Sequence, residues 1–95
     1  MNNFSLAGRI IEDAIVEKTE NGLKLARVKL SVNKYGKDEQ AEIFEVKLWG
    51  DLAEEDLTAG RIMDVKGRLS ANNVEKEEKT YYNVQFVAEK ISFLA

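Results

Sequence analysis

Residues 43–49, Ile-Phe-Glu-Val-Lys-Leu-Trp, alternate with period two, which predicts a β-strand. Phe44, Val46 and Leu48 share one side; Ile43, Glu45, Lys47 and Trp49 share the other. The charges mark the second side as the wet one, and the chain's only tryptophan stands there beside Lys47. A large ring next to a lysine outside the core is a candidate platform for a planar, anionic partner. Residues 23–35 repeat the asymmetry, with Ala26, Val28, Leu30 and Val32 inward and Arg27, Lys29, Ser31, Asn33 and Tyr35 outward. The polar segment 36–42 reads as a hairpin loop, so these two strands are expected to lie side by side and antiparallel.

The flanking segments complete the set. Residues 4–11 form a first strand with Phe4, Leu6, Gly8 and Ile10 on one side. Ile15 and Val16 extend it past a break at Glu12-Asp13, and Asn21-Gly22 supplies a hairpin turn. Residues 51–58 read as a short helix, with Asp51 as N-cap, Glu54 three residues on, Ala53 and Leu57 as its apolar stripe, and Gly60 as its stop. Residues 61–71 alternate again: Met63, Val65, Gly67 and Leu69 inward, Asp64, Lys66, Arg68 and Ser70 outward. Residues 72–80 read as a charged loop. A last strand, 81–94, turns Tyr82, Val84, Phe86 and Ala88 inward, and its parity slips near Glu89-Lys90, the mark of a bulge. Five strands with one short helix between the third and fourth predict an all-β protein, a five-stranded OB-fold Greek-key barrel filling residues 1–95 as one domain. That fold binds oligonucleotides over its second and third strands and the adjoining loops.

Composition narrows the function classes. With no cysteine and no histidine, thiol nucleophiles, histidine-based triads and the usual zinc sites are excluded. No acidic loop has calcium-ligand spacing. No enzyme activity and no cofactor are expected. The amino terminus lacks a signal-peptide pattern and no apolar run reaches membrane-span length, so the expected location is the cytoplasm, associated with the nucleoid, with no membrane partner. A net charge of -3 argues mildly against nucleic acid, but its placement matters more. Arg27, Lys29, Lys47, Lys66 and Arg68 occupy outward positions of strands two to four against only Glu45 and Asp64 there. The acids of 51–56 and 75–78 fall elsewhere. A basic face on an acidic chain is a local signal.

The segments in this order resemble the bacterial single-stranded DNA-binding protein family. The residues that carry the likeness are Asn3-Phe4-Ser5-Leu6-Ala7-Gly8-Arg9, the second strand ending at an aromatic, and Val65-Lys66-Gly67-Arg68-Leu69. Ile91-Ser92-Phe93-Leu94 adds to them, and the most specific match is Leu48-Trp49-Gly50-Asp51-Leu52-Ala53-Glu54. The resemblance implies sequence-tolerant binding of single-stranded DNA in replication, recombination or repair. Bases would stack on Trp49 and Tyr35, and phosphates would meet Arg27, Lys29, Asn33, Lys47, Lys66 and Arg68. It also implies a homo-oligomer, a tetramer ahead of a dimer. Two departures stand out: Ile43 and Val74 occupy positions where the family commonly places further stacking aromatics, and the chain ends at Ala95 without the family's acidic-tipped tail, as a tail-less member would. A primosomal accessory protein of the same family, or an OB-type protein-interaction module, are the alternative readings.

Overall fold

The computed structural model describes residues 1–33 and 40–95. Among these lie β1 (Phe4–Ile10), β2 (Ile15–Lys18), β3 (Lys24–Asn33), β4 (Ala41–Trp49), β5 (Ile62–Lys76) and β6 (Lys79–Phe93). The strands hydrogen-bond in the order β1-β5-β6-β4-β3-β2, and β1 returns to β3 through Arg9 opposite Ser31 and Ile10 opposite Leu30. That return closes a barrel. β4 and β6 run parallel at Val46–Phe86 and Lys47–Val87, and the other pairings are antiparallel. With β1 and β2 taken as one interrupted strand, this is the five-strand Greek-key order of the OB-fold. β2 is held to β3 across a turn in which Gly22 has φ 81.

Closure depends on a residue without a side chain. A Cβ at Gly8 would sit 2.6 Å from the Ser31 carbonyl oxygen, so β1 can cross β3 this closely only at glycine. Inside, Ile10, Val28, Leu30, Val46, Leu48, Met63 and Val65 are sealed from solvent. All occupy the inward positions that the alternation predicts, and each is worth about 1.5–3 kcal/mol of burial. Phe86 meets Phe4 and Phe44 edge-on, with ring centroids 5.2 and 5.5 Å away. Phe44 does point inward, but it is half-buried at this edge of the core.

The structure corrects the sequence reading in three places. The helix is a 3-10 helix over Gly50–Glu54 rather than an α-helix over 51–58; Trp49 is its N-cap and no side chain caps it, so Asp51 and Glu54 form no capping box. Ala53 and Leu57 are buried against the core all the same.

Residues 72–80 are not a loop. β5 and β6 stay paired out to Lys76 opposite Lys79, and Glu77 and Glu78 turn between them with φ 50 and 65. The hairpin outruns the barrel, because β1 pairs with β5 only as far as Gly67 and β4 meets β6 only at Phe86 and Val87.

That overhang explains the third correction. Leu69, Val84 and Tyr82 keep the inward parity but have no barrel interior to face; Val84 is 57% exposed and Tyr82 73%. The expected bulge is present: the partner of β5 jumps from Ala88 opposite Gly67 to Lys90 opposite Lys66. A side chain at Gly67 would run into the Val87 carbonyl oxygen. Among the described residues no helix is long and apolar enough to cross a membrane.

Candidate nucleic-acid interface

The strand registers line up one outward row across the barrel. Ile15 stands opposite Arg27, Arg27 opposite Lys47, Lys47 beside Val87, and Val87 opposite Arg68. Partner residues in register point to the same face of a sheet, so three cations from three distant segments share a single band. One further outward step along β4 brings Trp49, directly opposite Leu25. Leu25 is 6% exposed yet lies outside the core cluster. It is an apolar residue buried on the outer face, and its cross-strand neighbour is the half-buried indole. Trp49 is thus seated on the barrel exterior with an apolar floor beside it and Lys47 two residues away.

The cations differ in their partners. Arg27 is paired with Glu17 of β2 at 2.7 Å, and Lys29 with Glu12 at 3.0 Å. The Glu12 hydrogen bond and charge, followed by the charge of Glu45, hold the Lys29 ammonium above the ordinary lysine range. Lys47, Lys66 and Arg68 have no ion-pair partner among the described residues. Counting charges on strands two to four alone overlooks these acids, because Glu12 and Glu17 come from the segment that folds back beside β3.

Beyond Arg68 the row continues onto the hairpin. Its outer face carries Arg68, Ser70, Asn72, Val74 and Lys76 on β5, with Val87, Gln85, Asn83, Tyr81 and Lys79 opposite them on β6. From Arg68 to Lys76 and from Lys79 to Val87 no acid stands on this face. Val74, Lys76, Tyr81 and Asn83 line a shallow depression of about 420 Å³. Tyr81, 49% exposed, is a second aromatic on the outer surface, directly opposite Val74. The other face of the hairpin is apolar near the barrel, with Leu69, Ala71, Val84 and Tyr82, and polar toward its tip, with Asn73, Glu75 and Thr80.

Of the site residues expected from sequence, Arg27, Lys47 and Arg68 share the band, and Trp49 and Lys29 adjoin it on β4 and β3. Asn33 ends β3, opposite Ala41. Lys66 lies around the barrel between Ser5 and Lys90, so it joins β1 rather than the Trp49 region. Tyr35 lies outside the described residues. Ile43 is outward and 54% exposed, as its parity requires. Sequence reasoning missed Lys76 and Lys79 because it took their segment for a loop, and it placed Tyr81 at the start of the last strand without a role. The alternation gave no signal there, because Asn73 and Glu75 hold inward positions and Val74 an outward one.

The single-strand binding protein family model matches residues 1–94. The chain belongs to the single-strand binding protein family. The family is one of binding proteins, and relatives across bacteria share its name. The chain is 28% identical to the single-stranded DNA-binding protein of Aquifex aeolicus, covering 99% of this chain and 70% of that one. It is 31% identical to that of Bacillus cereus, covering 99% and 60%. The chain therefore spans between three fifths and seven tenths of the length of these relatives. Among solved structures, the wild-type single-stranded DNA binding protein from Thermus aquaticus superposes with a TM-score of 0.79 at 25% identity, over 100% of this chain and 41% of that one. A Plasmodium falciparum family member in complex with single-stranded DNA superposes at 0.78 with 18% identity, over 100% and 96%, and that likeness speaks to the fold.

Proposed function

We propose that this chain is a sequence-tolerant binder of single-stranded DNA serving replication, recombination or repair. The observation that carries the reading is the band Arg27–Lys47–Arg68, which runs from the barrel onto the acid-free face of the hairpin and is flanked by Trp49 and Tyr81. Phosphates follow the cations, and bases stack on the two rings. Stacking is sequence-tolerant because every base has a π-face, and it demands bases that are not already stacked in a duplex. Lys29 and Asn33 prolong the track on β3, Tyr35 is a further stacking residue by its sequence, and Lys66 serves a strand that wraps toward β1. The chain performs no chemistry and needs no cofactor; it acts in the cytoplasm, on the nucleoid.

The test is titration with oligo-dT while Trp49 fluorescence is followed. Saturable quenching that weakens with salt is expected, and equal affinity for the matching duplex would overturn the reading. Salt-independent binding, or none, would instead favour a protein-interaction module.

The assembly belongs to the same proposal: a homo-oligomer, a tetramer ahead of a dimer. It is supported by β1, whose residues Phe4 to Gly8 pair with β5 on one side and have no strand partner on the other among the described residues. An unpaired edge is a ready template for a second chain. Light scattering at micromolar concentration tests it, and a mass near 10.8 kDa would sink it.

A further inference from the structure

The cations of the proposed DNA face fall into two groups. On β4, β6 and β5, Lys47, Arg68, Lys76 and Lys79 stand without an ion-pair partner among the described residues. On β3, Arg27 and Lys29 are each held by a carboxylate from the segment that folds back beside them. The Glu17 carboxylate accepts from the Arg27 guanidinium at 2.7 Å, and Glu12 sits 3.0 Å from the Lys29 ammonium. A carboxylate and a phosphate compete for the same donor, since both offer a planar or near-planar pair of anionic oxygens to a guanidinium.

We infer that Glu17 and Glu12 act as built-in competitors of DNA phosphate, so that the β3 half of the face is occupied by the protein's own carboxylates until a strand displaces them. This rests on the functional reading above and adds which residues grade the site. The consequence is a face with two tiers. The hairpin side, Lys47 and Arg68 onward, engages a strand first. Arg27 and Lys29 contribute only after an exchange of one anion for another, which returns little net energy. Glu45, opposite Lys29 on β4, adds to the masking at that position.

Both ion pairs are partly exposed, with side chains between 35% and 56% accessible, so the exchange is open to a ligand approaching from solvent. Exposed pairs of this kind are weak, which sets the scale: Glu17→Gln is expected to tighten oligo-dT binding about two- to five-fold at low salt. General electrostatics would give some tightening too, so the deciding experiment is a double-mutant cycle. In the parent protein Arg27→Ala is expected to weaken oligo-dT binding by less than about two-fold, because the guanidinium is already engaged. In the Glu17→Gln background the same change is expected to cost at least about three-fold more than that.

Glu55→Gln, the same charge change at an exposed acid just past the 3-10 helix, is the control and is expected to leave affinity unchanged. Lys29 and Glu12 supply an independent second cycle with the same expected pattern. Equal losses on Arg27→Ala in both backgrounds would overturn the inference, as would tightening by Glu55→Gln as large as that by Glu17→Gln. Failure of the parent protein to bind oligo-dT at all would instead overturn the functional reading, and this inference with it.

Discussion

Leu25 and Trp49 face each other across β3 and β4 on the outside of the barrel, a buried leucine opposite a half-buried indole. An aliphatic side chain on an outer face stays dry only if something covers it, and its nearest cross-strand neighbour is the ring. Opposed in this way, the two side chains stand on one face, with the indole beside the cation band. Trp49→Ala is therefore expected to do two things. It should weaken oligo-dT binding by about 1–3 kcal/mol for the lost stack, and it should expose Leu25. Trp49→Phe, which keeps an aromatic face over the leucine, is expected to retain most of the affinity. Fluorescence anisotropy with a labelled oligonucleotide checks both, and wild-type affinity in the alanine variant would remove Trp49 from the site.

Salt should resolve which cations touch phosphate. Each phosphate neutralised on a single strand contributes about 0.7 to the slope of log K against log salt. Lys47→Ala and Arg68→Ala are each expected to lower that slope by about this amount. A slope insensitive to Lys47 and Arg68 together would show that the strand runs elsewhere.

Phe86 touches two rings, Phe4 at 5.2 Å and Phe44 at 5.5 Å, both edge-to-face. Each such pair is worth about 0.5–1.5 kcal/mol beyond area burial. Phe86→Leu keeps most of the apolar volume and loses both, so a loss of about 1–3 kcal/mol in unfolding free energy is expected by urea titration. Phe44→Ala should fall below the roughly 3–5 kcal/mol of a fully buried phenylalanine, because that ring is half-exposed. A Phe86 variant as stable as the parent would show that the rings merely abut.

The hairpin tip holds two consecutive left-handed residues, Glu77 and Glu78, at φ 50 and 65. Asn-Gly is the pair that two-residue turns of this hand favour, and glutamate in this region costs roughly 1–2 kcal/mol per residue. Replacing Glu77-Glu78 by Asn-Gly is expected to stabilise the hairpin by on the order of 1 kcal/mol, shifting the melting temperature upward by about 4–8 °C. It also removes two negative charges from the end of the proposed DNA track, so affinity for long oligonucleotides should rise or hold. Circular dichroism melting decides the first point, and a lower melting temperature would contradict the turn assignment.

Much of the barrel was legible in the residues themselves. Period-two alternation sorted Val28, Leu30, Val46, Leu48, Met63 and Val65 to the inside, and Arg27, Lys47 and Arg68 to the outside, because a pleated strand gives successive side chains no other choice. The Glu89 bulge and the Asn21-Gly22 turn were legible for the same local reason. The hairpin was not, since its turn uses two glutamates where a turn residue would have announced it. Nor was the exposure of Tyr82 and Val84: parity says which way a side chain points, while only the length of the neighbouring strands says whether anything lies there. The tertiary structure decided how far the functional band extends. Arg27 and Lys47 meet across the β3–β4 hairpin that the sequence suggests, but Arg68 joins their row only because β4 pairs with β6 in parallel, a contact between segments far apart in sequence. The pairing of Arg27 with Glu17 and of Lys29 with Glu12 has the same origin, for charge interactions depend on distance through space, and the fold sets that distance.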